Sequence, residues 1–421
     1  MTSLLTAIEQ QYIDQSSSTD DRYFVTTKDR KRDIIFPGEQ DASSFYSNTQ
    51  QLDRLSLSNL NISSIGDSST VSQLLPNVHS LDLSVNSLSW SSIAQLSSAL
   101  LSVSELCLAN NPLLSSVPPS FSYPSVTTLI LNNNPLTFET LVAVFQCFPN
   151  VEELVCAGCG LSDHLPSFCL PFKYLKILDL SDNCFTELDQ FGSLNVSTLI
   201  LNSNNISSLN VSMNSFNSLE NLFLGNNNIS EISTISNLDN VPSLRSVRLS
   251  PNEFLNIYPR MSVGRAHIIG RLQHINCLNG TTISETERRD CEKFYLSRAI
   301  DDVDSEDFSR IHPRFAELVQ KHGDPVKNDT KTGMKLIPIK LINDDDLEAK
   351  PRSKKLPLSM TLLQVKELFC TLFKVPKNNV CNLKVLYKDS YSTDLEELDS
   401  DSKNLNYFSL TEGEMHFSIA Q

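Results

Sequence analysis

One pattern recurs through the first two thirds of the chain and constrains it more than any other feature: apolar-x-x-apolar-x-apolar-x-x-Asn. It reads Val78, Leu81, Leu83, Asn86, then Val103, Leu106, Leu108, Asn111, then Val126, Leu129, Leu131, Asn134. It continues as Leu175, Leu178, Leu180, Asn183; Val196, Leu199, Leu201, Asn204; Leu219, Leu222, Leu224, Asn227; and Leu244, Val247, Leu249, Asn252. A degenerate copy lies at Val151, Leu154, Cys156, Cys159, and another opens the series at Leu52, Leu55, Leu57, Leu60. The last anchors of these nine copies are spaced 26, 25, 23, 25, 24, 21, 23 and 25 residues apart.

This period and anchor set are the signature of leucine-rich repeats. Each copy supplies one short strand whose inward side chains pack on the next copy. The Asn sits at the turn and satisfies exposed backbone groups between neighbours. The segment after it, such as 137–148, returns along the other side, partly as helix. A single copy cannot bury its own apolar face, so stability comes from stacking. The expected fold is therefore α/β, a leucine-rich-repeat solenoid with a curved parallel sheet over 49–300, closed by a helical C-terminal cap. A further strand reads Leu272, Ile275, Cys277, Leu278, Asn279, and Ser284 followed by Glu287 is a capping box. The helix after it should turn Cys291, Phe294, Tyr295 and Leu296 inward as a lid, with Arg288, Arg289, Asp290 and Lys293 mostly outward.

The flanks read differently. Residues 1–48 are Ser- and Asp-rich and are expected to be a poorly ordered tail with one short helix from Leu4 to Tyr12. Residues 301–333 form an acidic and helical linker, with a helix from Pro313 to Lys321 that stops at Gly323. From 334 to 421 the pattern becomes strand (335–343), charged turn (344–350), strand (353–361), amphipathic helix (362–375), strand (383–387) and strand (414–419). This order resembles the ubiquitin fold, a β-grasp domain. The chain ends Ser418-Ile419-Ala420-Gln421 without the Gly-Gly that conjugation needs.

Composition narrows the function. Lys plus Arg is 34 against 49 Asp plus Glu, a net charge of −15. Nucleic acid and anionic membranes select the opposite sign. No secretory signal opens the sequence and no apolar run of 18 residues occurs. Ten scattered cysteines then read as reduced thiols in a cytoplasmic protein. The Asn-x-Ser/Thr sequons follow from a Ser-rich chain whose repeat demands Asn. No phosphate-cradling Gly loop, nucleophile elbow or metalloprotease motif is found, so no enzyme and no cofactor are expected. The nearest metal-like motif is Cys156-x-x-Cys159 with His164. Its cysteines occupy repeat anchors, and that register explains them better than a metal.

The residue between the second and third anchors of each copy should face the hollow of the sheet. In order these are Ser56, Asp82, Cys107, Ile130, Val155, Asp179, Ile200, Phe223 and Arg248. Small and β-branched residues suit strands in any case, but an exposed apolar strip commonly marks a partner site. Cys107, Ile130, Val155, Ile200, Phe223 and Arg248 are therefore the partner-binding candidates on the concave face.

Three segments carry a family resemblance: 275–280 (Ile-Asn-Cys-Leu-Asn-Gly), 287–295 (Glu-Arg-Arg-Asp-Cys-Glu-Lys-Phe-Tyr), and 312–318 (His-Pro-Arg-Phe-Ala-Glu-Leu) with His322-Gly323. With repeats, cap helix and ubiquitin-like domain in this order, the chain resembles the tubulin-folding cofactor E family over residues 50–421. It is most similar to the cofactor E-like branch, because nothing before residue 50 matches a CAP-Gly domain. The resemblance implies binding of α-tubulin within the αβ-tubulin heterodimer, destabilisation of that heterodimer or promotion of tubulin turnover, and a cytoskeleton-associated protein. It leaves room for a proteasome or ubiquitin-receptor contact through 334–421. The alternative is a cytosolic scaffold or adaptor for a phosphatase or ubiquitin-pathway enzyme. A secreted receptor is disfavoured by the absent signal.

Overall fold

A computed structural model describes residues 2–10, 49–111, 121–163, 173–212, 215–258, 260–325, 336–346, 348–390 and 394–419. The chain forms two compact units, Met1–Ile206 with Asn214–Leu224 and Ser207–Met213 with Gly225–Gln421.

The first unit is built on three-residue strands at Arg54–Ser56, Ser80–Asp82, Glu105–Cys107, Thr128–Ile130, Glu153–Val155, Ile177–Asp179, Thr198–Ile200 and Asn221–Phe223. They pair in chain order, all parallel, so Leu55, Leu81, Leu106, Leu129, Leu154, Leu178, Leu199 and Leu222 lie side by side. These leucines are buried, and their burial between return segments and sheet drives the stacking. The return segment of one copy is the helix Phe138–Cys147, N-capped by Thr137.

The asparagines close the backbone between copies. Asn134 donates from Nδ2 to the carbonyls of Leu108 and Leu131, each at 2.9 Å, and its Oδ1 accepts the Asn111 N–H at 2.8 Å. Leaving such buried groups unpaired costs about 1–3 kcal/mol each, which is why the ninth position is fixed. The degenerate copy substitutes a thiol: Cys159 Sγ donates to Leu131 O at 3.2 Å, while its own N–H is taken by Asn183 Oδ1. The cysteine thus does part of the asparagine's work. His164, the third member of the CxxC reading, lies outside the described residues.

One expectation is corrected at the N-terminus. Residues 2–10 belong to the fold, not to a tail. Thr2–Ser3 pairs in parallel with Ile62–Ser64. The helix Leu4–Ile8 follows, N-capped by Ser3, and buries Leu4, Ala7 and Ile8. The helix expected from Leu4 is present; its docking was not expected, because a five-residue helix carries no sign of what it packs against. The expectations for 11–48, including Tyr12, fall outside the described residues.

In the second unit Ser246–Arg248 pairs with Cys277–Leu278, which turns back antiparallel onto Thr281–Thr282. Asn279 Oδ1 accepts the N–H groups of Leu249 and Ser250 at 2.8 and 3.2 Å. Two helices then pack closely, Met261–Arg271 and Glu285–Ala299. The first was not anticipated. Gly270 permits the approach, since a Cβ there would lie 2.5 Å from Tyr295 Cβ. In the second, Ser284 Oγ accepts the Glu287 N–H at 3.1 Å. The other half of the expected capping box is diverted, because Glu287 pairs with Arg265 at 2.6 Å. Cys291, Phe294, Tyr295 and Leu296 are buried as expected. Arg288 departs from its outward assignment and donates to the carbonyls of Leu272 and Ile275. Its long side chain satisfies a loop that has no ladder partner. The helix Phe315–His322 ends at Gly323, whose φ is +87°. Its Leu318 joins Tyr295, Leu296 and Ala299 in a small core.

A histidine cluster lies against this core. His267 stacks on Tyr258 at 4.9 Å and meets Phe294 edge-on at 5.7 Å. Arg271 Nη1 lies 3.4 Å from His267 Nδ1, a contact that requires a neutral imidazole. Burial, followed by the positive charges of Arg271 and Arg298, pushes the His267 pKa down to about 3. The unfolded chain binds the extra proton below pH 6.5 and the folded chain does not. This contribution to stability is complete above 6.5 and is lost as pH falls toward 3. We expect a loss of roughly 3 kcal/mol by pH 4. Urea melts at pH 7 and pH 4 should show that drop in the wild type and a clearly smaller one in His267→Gln. Equal drops would remove His267 as the cause.

The C-terminal part of the unit is a five-stranded sheet. Gly413–Ile419 is central, flanked by Leu336–Asn343 (parallel) and Leu383–Asp389 (antiparallel); Arg352–Pro357 and Glu396–Glu397 form the two edges, each antiparallel to its neighbour. The helix Leu362–Phe373 starts in a full capping box, Thr361 with Gln364. Phe369 stacks on Phe417 at 4.1 Å over the sheet. This is the expected β-grasp fold. The strand Glu396–Glu397 has only two residues and was missed. Residues 326–335, which include the last part of the expected linker, are outside the described residues.

Candidate partner-binding surfaces

Strand geometry places alternate side chains on opposite faces. With the leucines of the second anchor inward, both neighbours on each strand face the other way. The structure brings five of the six candidates into one unit. Cys107 pairs in register with Ile130 and Ile130 with Val155; after Asp179 the column resumes as Ile200 beside Phe223. All five are half-buried. Adjacent strands lie about 4.8 Å apart, so each apolar run is continuous. Arg248 is exposed and belongs to the second unit, where its guanidinium approaches the turn at Gly280.

Two aspartates interrupt or flank the apolar column, and both are occupied locally. Asp179 accepts the N–H and hydroxyl of Ser181 at 2.9 and 2.6 Å. Asp82 accepts Ser84 N–H at 2.9 Å and Ser56 Oγ–H at 3.1 Å. Burial pushes the Cys107 thiol up to about 12, with Asp82 adding to the shift. Cys107 is a neutral wall, not a nucleophile.

A second column on the same face was missed: Glu105, Thr128, Glu153, Ile177, Thr198 and Asn221, also half-buried. Its signal was present, since these residues precede the candidates by two and share their face. The surface is thus an apolar stripe bordered by an acidic and polar one.

The ubiquitin-like domain carries a second surface. On the face of its sheet away from the helix, Ile342 and Leu386 lie either side of His416, all half-buried. Ion pairs border them, Lys340 with Glu414 and Lys384 with Glu397, each at 2.7 Å. The domain is also in contact with the cap. Arg260, at the start of the helix Met261–Arg271, reaches Asp389 at 2.8 Å and the carbonyls of Phe408 and Ser409 at 2.9 and 3.2 Å. The sequence reading left this residue out, because a lone arginine outside any motif gives no sign of a partner more than a hundred positions away.

Parallel three-residue strands, an asparagine ladder, a capping helix and an apolar stripe on the open face define a leucine-rich-repeat protein. A leucine-rich-repeat family model matches residues 172–306. Tubulin-specific chaperone E of Danio rerio is 30% identical over 87% of this chain and 76% of its own length. Tubulin-folding cofactor E of Arabidopsis thaliana is 29% identical over 88% and 76%. The human tubulin-specific chaperone cofactor E-like protein is 27% identical over 86% of both chains. The chain belongs to the tubulin-specific chaperone E family. Among the described residues no helix is long and apolar enough to cross a membrane.

Proposed function

We propose that this protein is a tubulin-binding member of the chaperone E family, a binding protein and not an enzyme. It takes α-tubulin within the αβ heterodimer on the stripe that includes Ile200 and Phe223, and thereby favours dissociation or turnover of the heterodimer. The observation that carries the reading is family membership along most of the chain, combined with an apolar stripe on the open face of the repeats. Glu105 and Glu153 beside the stripe, with the net charge of −15, oppose an acidic partner in general. Contact must therefore rest on desolvated apolar groups and on basic or amide-bearing segments of the partner. Ile342, His416 and Leu386 supply the surface on which a proteasome or ubiquitin receptor would read residues 334–421.

Mixing the purified full chain with αβ-tubulin and separating by size tests this. We expect tubulin to co-migrate with the chain and the heterodimer to come apart as the chain is added in excess. A chain without residues 334–421 should still bind, but expressed in cells it should fail to lower soluble tubulin. Absence of any co-migration by the full chain would overturn the tubulin reading. Equal tubulin loss with the truncated chain would assign the activity to the repeats alone.

A further inference from the structure

We infer that the ubiquitin-like domain is not tethered loosely but latched to the repeat cap by Arg260, in a seat built to open and close. This rests on contacts within the second unit and is independent of which partner the repeats hold. The Arg260 side chain is 1% exposed and that of Asp389 is 0%. The guanidinium uses its whole donor fork on the ubiquitin-like domain. Nη1 meets Asp389, Nε meets Phe408 O, Nη2 meets Ser409 O, and the plane lies 4.7 Å from the centre of the Tyr387 ring. A planar five-donor group suits this; a lysine would not fill it.

A second contact reinforces the first. The Glu396 carboxylate accepts the backbone N–H of Ser262 at 2.7 Å and its hydroxyl at 2.9 Å. It therefore caps the cap's own helix Met261–Arg271 from the other domain, where an anion is favoured. Glu396 also lies 3.5 Å from Arg260 Nη1.

The chemistry of the seat indicates reversibility. Each side keeps its own apolar core, one around Phe369, Tyr387 and Phe417 and the other around Tyr295 and Leu318. What parting would uncover at these contacts is an arginine, two carboxylates, a serine and two carbonyls, which water can satisfy, with the face of one tyrosine ring, Tyr387. An interface of apolar side chains would resist such opening. The seat engages Asp389, Glu396 and the 408–409 turn and leaves the row of Ile342, His416 and Leu386 on the opposite face of the sheet. A partner that reads the seat face must displace Arg260; one that reads the outer row need not.

Hydrogen exchange on the full chain tests the latch. Arg260→Ala leaves Asp389 buried without its cation, a loss large enough to open the seat. We expect exchange in peptides covering 261–268 and 405–411 to accelerate at least about tenfold. Peptides from the domain core, 365–370 and 415–419, should stay within about twofold of wild type, since sub-global opening leaves independent cores protected. The pair Arg260→Met with Asp389→Leu removes both charges and should return the seam to slow exchange, as apolar replacement of a buried ion pair commonly does. Unchanged seam exchange in Arg260→Ala would overturn the latch. So would equal acceleration in the core peptides, because Arg260 would then serve folding and not docking.

Discussion

Tyr295→Ala should cost the second unit about 5 kcal/mol, at the upper end of what large-to-small core changes do. Three losses coincide at this residue. Its ring is fully buried, so truncation leaves a cavity beside Gly270, which has no side chain to fill it. Its hydroxyl is hydrogen-bonded to His312 Nδ1 at 2.8 Å. Its ring also lies 4.9 Å from the Arg271 guanidinium. Arg271 is itself buried and has no carboxylate within ion-pairing distance among the described residues. Removing the ring leaves that cation with little besides the His267 carbonyl at 3.2 Å. Tyr295→Phe keeps the ring and should cost only about 1–2 kcal/mol for the lost hydroxyl partner. Denaturant melts of the two variants separate these terms. A loss of about 1 kcal/mol for Tyr295→Ala would mean that the cap helix does not close this core.

Ile200→Ala with Phe223→Ala should have the largest effect on binding, a loss of tubulin affinity of about thirtyfold or more. The two residues are adjacent in register, with no charged residue between them in the column. Asp82 flanks Cys107, and Asp179 separates Val155 from Ile200, which leaves Phe223 on the side of Ile200 away from that carboxylate. A few large side chains near the centre of a contact carry most of its binding energy while their surroundings mainly exclude water, and Phe223 with Ile200 is the bulkiest adjacent pair of the stripe. Neither candidate belongs to the inward column of leucines that holds the stack together, so the fold should survive the change.

How much of this was legible in the sequence follows from the range of each interaction. The strands of the first unit and the asparagine ladder repeat a local pattern, and repetition makes a weak local signal strong. The β-grasp strands alternate over seven or eight residues at Leu336–Asn343 and Leu383–Asp389, long enough to read. The helix Met261–Arg271 was missed because Gly264 and Gly270, which lower helix propensity, are present for close approach to Tyr258 and Tyr295. Packing overrides propensity there. The return of Glu287 to Arg265 and of Arg288 to two loop carbonyls depends on that same unseen helix and the turn before the cap. The Arg260 seat joins residues more than a hundred positions apart and has no motif. The apolar stripe was readable from strand alternation, but its mostly polar neighbour column, from Glu105 to Asn221, was overlooked although the same alternation defines it.

If the open face of the repeats around Ile200 and Phe223 holds tubulin, as proposed, affinity must depend on those two side chains. A binding titration of αβ-tubulin against the full chain and against the Ile200→Ala, Phe223→Ala double variant tests it most directly, with matched melting curves confirming that both proteins are folded. We expect saturable binding by the wild type and an affinity lower by about thirtyfold or more in the folded double variant. Unchanged affinity in a folded double variant would contradict it and move the tubulin contact off this face.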